Sequence, residues 1–155
     1  MSDIKIICQN KKARHDYFVE DSMEAGIILW GTEVKALRES KANLVDSYVQ
    51  IEAGEAWLIG AHISHYTPAN QFNHAPVRRR KLLMHKREIS RLIGKVKEKS
   101  FNLIPLKLYF KKGKVKIEVA LAKGKKLYDK RRTIKEKEAN REIAKAMKYD
   151  RDQSE

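Results

Sequence analysis

Cysteine is almost absent from this chain, since Cys8 is the only one among 155 residues. A single cysteine excludes an intramolecular disulfide and fits a reducing compartment. Long apolar runs are missing too: the sequence has no stretch of about 18 apolar residues, no signal peptide and no lipidation motif. We therefore expect a cytoplasmic protein with no membrane partner.

Motifs that usually carry catalysis are also missing. There is no Gly-rich phosphate loop, no G-x-S-x-G, no zinc-deaminase motif and no carboxylate cluster suited to two metals. His62 and His65 are spaced almost like metal ligands but lack cysteine or carboxylate company, so we predict no metal and no cofactor. His15 and Asp16, with Glu20, come nearest to an acid–base pair, but adjacent side chains of a strand point to opposite faces. We predict no catalytic residue and no enzyme, with an RNA-processing nuclease as the alternative.

Positive charge, in contrast, is abundant. Lys and Arg total 34 against 20 Asp and Glu, which gives a net charge of +14. From Lys123 to the end there are 12 basic and 7 acidic residues, so this segment and the rest of the chain are both positive. Both parts are expected to meet anions, and without a membrane motif nucleic acid is the favoured partner.

Hydrophobic periodicity predicts a mainly β fold with accessory helices. Residues 45–51 and 56–63 predict one antiparallel hairpin, and residues 106–110 and 115–121 predict a second. Further strand-like runs cover residues 4–8, 17–20 and 23–30, whereas residues 10–15 indicate a basic loop and residues 66–80 a long connection. A short helix is expected over residues 33–39 after an N-cap at Thr32, and a longer one carries the stripe Ile89, Leu92, Ile93 and Val96. About six strands predict a small antiparallel β-barrel of the oligonucleotide-binding (OB-like) type.

The chain is expected to divide into a barrel, residues 1–122, and a basic C-terminal tail, residues 123–155. Thr133 and Glu136 match a capping box, which predicts a helix from about Ile134. Half of the apolar residues from Ile134 to Met147 are alanine, so we expect the tail to be disordered when free and helical against a partner.

Two basic clusters are candidates for binding RNA. The alternation of the second hairpin places Lys107, Tyr109, Lys114 and Lys116 on one outward face, where lysines can neutralise phosphates and a tyrosine ring can stack on a base. A solvated face of a half-buried hairpin is the alternative. Residues 78–81 are all basic and are followed on the next helix by more basic residues, a pattern that favours phosphate contact.

Glu33 has two explanations. A carboxylate at the start of a helix is favourable to the helix dipole. It could also accept hydrogen bonds from a base edge or a ribose 2′-OH.

A series of motifs occurs in one order along nearly the whole chain. It includes Lys12-Ala-Arg-His-Asp-Tyr17, Gly31-Thr-Glu-Val-Lys35, Asp46-Ser-Tyr48, Arg80-Lys-Leu-Leu83, Pro105-Leu-Lys-Leu-Tyr109 and Ala122-Lys-Gly-Lys-Lys-Leu-Tyr-Asp-Lys-Arg131. On these motifs the sequence resembles the SsrA-binding protein family, also called small protein B.

The resemblance implies an RNA-binding adaptor. Its barrel would bind the tRNA-like domain of transfer-messenger RNA (tmRNA) and deliver it to stalled ribosomes for trans-translation. The implied partners are tmRNA, the ribosome at the small-subunit decoding centre and empty mRNA channel, and indirectly an elongation factor that carries the charged RNA. We expect a monomer in solution. A ribosomal or ribosome-assembly RNA-binding protein is the alternative.

Charge, alternation and the resemblance together define the predicted sites. The barrel residues predicted to bind RNA are Glu33, Lys35, Arg38, Asn43, Arg80, Lys81, Lys86, Arg87, Lys107, Tyr109, Lys114 and Lys116. The tail residues predicted to reach the decoding centre and channel are Lys123, Gly124, Lys125, Lys126, Tyr128, Asp129, Lys130, Arg131, Ile134, Lys135, Lys137 and Met147. Position 128 is often histidine in the family, and tyrosine would keep stacking but not a proton-transfer role.

Overall fold

A computed structural model describes residues 4–99, 101–125, 131, 134–135 and 137–146. Within them, nine strands and three named helices follow one another. The strands are β1 (Ile4–Gln9), β2 (Tyr17–Ile27), β3 (Ala42–Asn43), β4 (Tyr48–Glu52), β5 (Glu55–Ile59), β6 (His62–Ile63), β7 (Arg80–Leu83), β8 (Asn102–Lys111) and β9 (Lys114–Gly124). The helices are α1 (Lys11–Asp16), α2 (Gly31–Arg38) and α3 (Lys86–Lys99), and a 3-10 turn covers Thr67–Phe72.

The hairpin of β8 and β9 is the most extended pairing that the alternation predicts. It runs from Asn102 opposite Ala122 to a tight turn at Lys112 and Gly113. The φ angles of these two turn residues are 52° and 77°, as a two-residue turn that matches the strand twist requires. The alternation of apolar and polar residues therefore predicted both the hairpin and the position of its turn.

Six strands close into a ring. The order is β8, β4, β5, β7, β2 and β9, and β9 pairs again with β8. The ring closes between β4 and β8 through a single pair, Val49 opposite Leu103. β1 lies along the other part of the same edge of β8, while β3 and β6 form a separate two-stranded sheet. The predicted mainly β fold of about six antiparallel ring strands with accessory helices is confirmed.

The core lies inside the ring. Leu58, Leu82, Leu108 and Ile117 are fully buried there, and Leu92 of α3 packs into the same cluster. α3 carries the predicted apolar stripe, with Ile89 and Leu92 buried. In the described part of the chain, no helix is long and apolar enough to span a membrane. A smaller cluster of buried residues lies around Ala13 of α1 and includes side chains of β8 and β9.

Several local expectations were wrong. Residues 11–16 form helix α1 instead of a loop, because the Asn10 side chain caps it by accepting a hydrogen bond from the N–H of Ala13 at 3.1 Å. β2 is one strand with a bulge after Val19, and the N-cap of α2 is Trp30 instead of Thr32. The predicted strand over residues 56–63 is interrupted after Ile59, where Gly60 has a φ of 80°.

The chain divides into two compact units, Met1–Gly124 and Lys125–Glu155. In the second unit residues 134–135 and 137–146 are helical, with exposed side chains. Disorder of the free tail and its ordering on a partner stay predictions.

Candidate nucleic-acid interface

One exposed face of the six-stranded ring has a glycine, Gly26, at its centre. Gly26 of β2 lies between Leu83 of β7 and Lys116 of β9, so these three positions share one face of the sheet. Leu83 is 54% exposed although it is large and apolar. A shallow depression of about 380 Å³ opens beside Gly26, with Glu24 at its edge. A second one of about 310 Å³ is also lined by Leu83 and reaches Lys114. We name Glu24, Gly26, Leu83, Lys114 and Lys116 the Gly26 surface.

The two lysines of the Gly26 surface are available to a ligand. Among the described residues, neither Lys114 nor Lys116 forms an ion pair. Nearby Lys111, by contrast, pairs with Glu24, with 3.2 Å between Nζ and Oε2. Together the two depressions combine apolar surface, the carboxylates of Glu24 and Glu88 and two unpaired ammonium groups, which are the complements of a ribose, its hydroxyls and phosphates.

The tyrosine predicted to stack on a base is not available for that role. The register places Tyr109 on the same face as Lys107 and Lys116, as the alternation predicts. However, Tyr109 is only 4% exposed: Ile6 of β1 lies beside it and Nζ of Lys107 lies 5.4 Å from its ring centroid. Its hydroxyl donates a hydrogen bond to Oε2 of Glu24 at 2.5 Å. The prediction of an exposed Tyr109 ring is therefore wrong.

This hydrogen bond fixes the protonation of both partners. The bond from Tyr109 lowers the pKa of Glu24 against the opposing effect of burial, and Lys111 and Lys116 lower that pKa further. Burial, followed by the Glu24 carboxylate, raises the pKa of the Tyr109 hydroxyl. At neutral pH Glu24 is thus a charged hydrogen-bond acceptor at the edge of the Gly26 surface.

Glu33 is completely buried, with 0% exposure, and both of its oxygens are bonded. Oε1 accepts hydrogen bonds from the backbone N–H of Trp30 at 2.7 Å and from Nη2 of Arg78 at 2.5 Å, while Oε2 accepts one from Nε of Arg80. Burial raises the pKa of Glu33, but the bonds from Arg78, Trp30 and Arg80 outweigh burial, so the pKa lies below its usual value. The prediction of Glu33 as an RNA contact is wrong, because no part of the carboxylate is open to a ligand.

Arg80 is an interior residue as well. It is fully buried, and Nη1 donates to the carbonyl of Ala61 at 2.9 Å while Nη2 donates to that of Pro76 at 3.0 Å. Burial lowers the pKa of Arg80, and the hydrogen bond and charge of Glu33 oppose that effect. The prediction of Arg80 as a phosphate contact is wrong, because each nitrogen of the guanidinium already has a partner inside the protein.

The neighbours of Arg80 are paired on the surface. Nη2 of Arg79 lies 2.6 Å from Oε2 of Glu52, and Nζ of Lys81 lies 2.9 Å from Oε1 of Glu55. The run of four basic residues therefore carries much less free positive charge than its sequence indicates. Lys81 as an RNA contact stays a prediction, in competition with Glu55.

The other predicted contacts of the first unit lie on its surface. Exposed residues are Lys35, Arg38, Asn43, Lys86, Arg87, Lys123 and Gly124. Nζ of Lys35 lies 5.5 Å from the ring centroid of Tyr66, and Oδ1 of Asn43 accepts a hydrogen bond from the N–H of Val45 at 2.8 Å. Nothing in their positions prevents contact with RNA, and their role stays a prediction.

The predicted tail residues belong to the second unit, apart from Lys123 and Gly124. Arg131, Ile134, Lys135 and Lys137 are exposed, and Lys125 is half-buried. Outside the described residues lie Lys126, Tyr128, Asp129, Lys130 and Met147, and also Thr133 and Glu136 of the capping box. The decoding-centre segment therefore stays a prediction.

Sequence reasoning missed Glu24 and Leu83. Dividing β2 into two runs hid its continuous pairing with β9, which is what places Glu24 on the exposed face. Leu83 follows Leu82 in an apolar run and has the composition of a core residue. The useful signal was Gly26 inside a strand, since such a glycine often marks close approach of another molecule.

The possible acid–base pair has a geometry that was not expected. His15 and Asp16 lie at the end of α1, and Nδ1 and Oδ1 are 3.0 Å apart. The expectation of opposite faces was wrong because the segment is helical. In the part of the chain that the structure describes, no group of three or more His, Cys, Asp or Glu side chains could hold a metal.

Comparison with known proteins places these features in a family. A family model described as "SmpB protein" matches residues 7–149. The chain is 61% identical to an SsrA-binding protein of Desulforudis audaxviator over 92% of this chain and 93% of that one. It is 63% identical to an SsrA-binding protein of Syntrophobacter fumaroxidans over 90% of this chain and 86% of that one. A solved structure described as "tmRNA-SmpB: a journey to the center of the bacterial ribosome" superposes with a TM-score of 0.66 at 45% identity, covering 77% of this chain and 85% of its own. This chain belongs to the SmpB family.

Proposed function

We propose that this protein is an RNA-binding adaptor of trans-translation. It binds the tRNA-like domain of tmRNA and brings it to stalled ribosomes, so that incomplete proteins are tagged. The observation that carries the proposal is identity above 60% to SsrA-binding proteins across most of their length. The expectation drawn from the sequence motifs agrees with this likeness.

The Gly26 surface is the proposed contact for folded RNA. Lys114 and Lys116 neutralise phosphates, and Leu83 packs against a ribose or base that enters the depression beside Gly26. Glu24 stays ionised because Tyr109 donates to it, and it accepts a hydrogen bond from a 2′-OH or a base edge. A carboxylate among lysines also disfavours indiscriminate binding of polyanions, because it repels any phosphate that is out of position.

Residues 123–155 are proposed to act on the ribosome and not on tmRNA. The segment is basic, and its described helical residues are exposed. Enclosure in an RNA channel would supply the packing surface that a helix with few large apolar side chains needs in order to stay ordered. The elongation factor that carries charged tmRNA meets this protein only through that RNA.

We propose no enzymatic activity and a cytoplasmic location. Among the alternatives, only the nuclease has a structural observation in its favour, the contact of His15 with Asp16. A nuclease would degrade RNA with multiple turnovers and lose that activity on His15→Ala. An adaptor forms a stoichiometric complex and leaves the RNA intact.

The direct test measures binding of the transcribed tRNA-like domain by two single variants. Lys114→Ala removes an unpaired lysine of the Gly26 surface, and Lys41→Ala is the control, because Lys41 pairs with Glu39 and is not among the predicted RNA contacts. For Lys114→Ala we expect weaker binding and a slope of log affinity against log salt that is shallower by about 0.7–0.9. An equal loss of RNA affinity in both variants would contradict the Gly26 surface as the RNA contact. A wild-type affinity that does not change with salt would contradict the proposed function.

A further inference from the structure

Trp30 is a tryptophan left half in solvent. It lies just beyond the end of β2 and is 54% exposed, although the indole ring gains much from burial. Its backbone is extended, with φ −81° and ψ 160°. Ile28, which lies between the end of β2 and Trp30, is exposed as well. Trp30 is therefore a large aromatic side chain open to solvent on the segment that joins β2 to α2.

The ring is fixed from one side. The guanidinium of Arg78 lies 4.8 Å from the ring centroid of Trp30. Oε1 of Glu33 holds both partners, since it accepts from Nη2 of Arg78 and from the backbone N–H of Trp30. One buried carboxylate oxygen thus fixes the tryptophan backbone and the cation stacked on its ring. More than half of the Trp30 surface stays exposed, and the contacts with Arg78 and Glu33 reduce the side-chain entropy that the ring would lose on binding a ligand.

Trp57 is also stacked with an arginine, but the charges around it differ from those around Trp30. Arg79 lies 4.8 Å from its ring centroid, the same distance as in the first pair. However, Arg79 pairs with the exposed carboxylate of Glu52. A polyanion that approaches Trp57 meets this negative charge, whereas the carboxylate behind Trp30 is buried. Of the two tryptophans, only Trp30 combines an open ring with a shielded carboxylate.

We infer that Trp30 is a nucleobase-stacking site. An unpaired base of the bound RNA lies on the exposed side of the indole ring, with the Arg78 guanidinium on the opposite side, in one three-layer stack. Arg78 and Glu33 are positioning residues, since they act through the ring and not on the RNA. This inference rests on the proposed function and adds a contact beyond the Gly26 surface. Stacking is tolerant of sequence, so the site takes any unpaired base that the RNA fold presents there.

The two tryptophans of the chain make the test specific. Trp57→Phe leaves Trp30 as the only indole, and Trp30→Phe leaves Trp57. On titration with the transcribed tRNA-like domain of tmRNA, we expect strong quenching of indole fluorescence in the Trp57→Phe protein. The Trp30→Phe protein should bind the RNA with little change in its emission.

Affinity gives a second readout. Trp30→Ala should weaken binding by about tenfold, corresponding to the loss of one stacked base. Trp30→Phe should restore most of the affinity, and Trp57→Ala should leave it unchanged. If Trp30→Ala melts below the assay temperature, the phenylalanine variant and the quenching measurement still decide the question.

Positioning by Arg78 has its own test. Arg78→Lys in the Trp57→Phe protein keeps the charge but removes the planar group that stacks on the ring. We expect lower fluorescence anisotropy of Trp30 in the free protein and weaker quenching by RNA. Unchanged anisotropy would contradict the positioning role.

Two outcomes separate this inference from the proposed function. RNA binding of normal strength without quenching of Trp30, and with no loss in Trp30→Ala, would overturn the stacking site and leave the proposed function standing. Failure of the wild-type protein to bind the RNA at all would overturn both.

Discussion

Glu33 and Arg80 have the sequence features of RNA contacts, but both are buried inside the protein. Glu33 and Arg80 form an ion pair with both side chains fully buried, and Arg78 joins them at the edge. Sequence reasoning could not find this pair because its members are 47 residues apart and meet only when β7 joins the ring. Their charges serve the folded shape of α2 and of the segment before β7.

Glu33→Gln tests this structural role. It keeps the shape of the side chain but leaves two guanidinium groups without their anion, so we expect a loss of about 3–5 kcal/mol in the free energy of unfolding at pH 7. Denaturant titration measures it. Glu52→Gln, at an exposed pair with Arg79, is the control and should cost about 1 kcal/mol or less. A Glu33→Gln protein as stable as the wild type would contradict this structural role.

The effect of Glu33→Gln on the free energy of unfolding should also depend on pH. Since the pKa of Glu33 is depressed in the folded state, its stabilising contribution is fully present above the usual value of 4.5. It is lost as the pH falls through the lower, folded-state pKa. The difference in stability between the wild type and Glu33→Gln should therefore narrow progressively below pH 4.5. A difference that stays constant down to the acid transition would contradict the ion pair.

Tyr109→Phe tests the link between Tyr109 and Glu24. Removing the hydroxyl removes the strongest influence that lowers the pKa of Glu24, so that pKa should rise toward its usual value. Titration of the carboxyl carbon by NMR measures the change, and the loss of the hydrogen bond should cost about 1 kcal/mol of stability. Tyr48→Phe, at an exposed position of β4, is the control. An unchanged pKa of Glu24 in Tyr109→Phe would contradict the link.

At the scale of elements, the sequence patterns predicted what depends on local periodicity. The β8–β9 hairpin and α3 follow directly from alternation and from an apolar stripe. The six residues of α1 are too few for a helical period to be visible, and the helix depends on the cap at Asn10. The strand β7 lies at the end of a segment with little periodicity and takes its pairing from β2 and β5.

Within the candidate site, the two lysines of the hairpin could be predicted because they alternate with core residues. Leu83 could not, because nothing local distinguishes an exposed leucine from a buried one beside it. The burial of Tyr109 was equally hidden, since Ile6 and Glu24 reach it from distant parts of the chain. Contacts between distant segments therefore decided which polar side chains are free.

Two glycines allow an element-scale prediction with a built-in comparison. Gly94 lies inside α3 and has open space where the methyl group of an alanine would lie, so Gly94→Ala should stabilise the protein by roughly 0.5–1 kcal/mol. In Gly26→Ala the added carbon would lie 3.2 Å from Cβ of Leu83, so Leu83 must shift. We expect Gly26→Ala to weaken RNA binding and Gly94→Ala to leave it unchanged, as measured by filter binding and thermal melting. The opposite ranking of affinities would contradict the position of the interface.

At the scale of the whole molecule, the positive charge is divided between two units with different proposed roles. The first unit pairs many of its basic groups internally and leaves two unpaired lysines, Lys114 and Lys116, on the Gly26 surface. The second unit adds a further net positive charge, and in its described part the helical side chains are exposed. Binding of tmRNA and action on the ribosome should therefore be separable.

Truncation after Gly124 tests this separation. The first unit contains the ring, its core and the Gly26 surface, so affinity for the tRNA-like domain should be nearly unchanged. Tagging of incomplete proteins on stalled ribosomes should be lost, as measured in a reconstituted translation reaction. Full-length protein with Gly94→Ala is the matched control. Tagging by the truncated protein would contradict the role of the tail.

If the proposed function is right, tmRNA is the main RNA that this protein binds in its cells. To test this, the protein is purified through an affinity tag from its own cells under gentle conditions, and the RNA that accompanies it is sequenced. We expect one dominant RNA species with a tRNA-like domain, more abundant with the wild-type protein than with Lys114→Ala. A spread of ribosomal RNA fragments without such a species would contradict it.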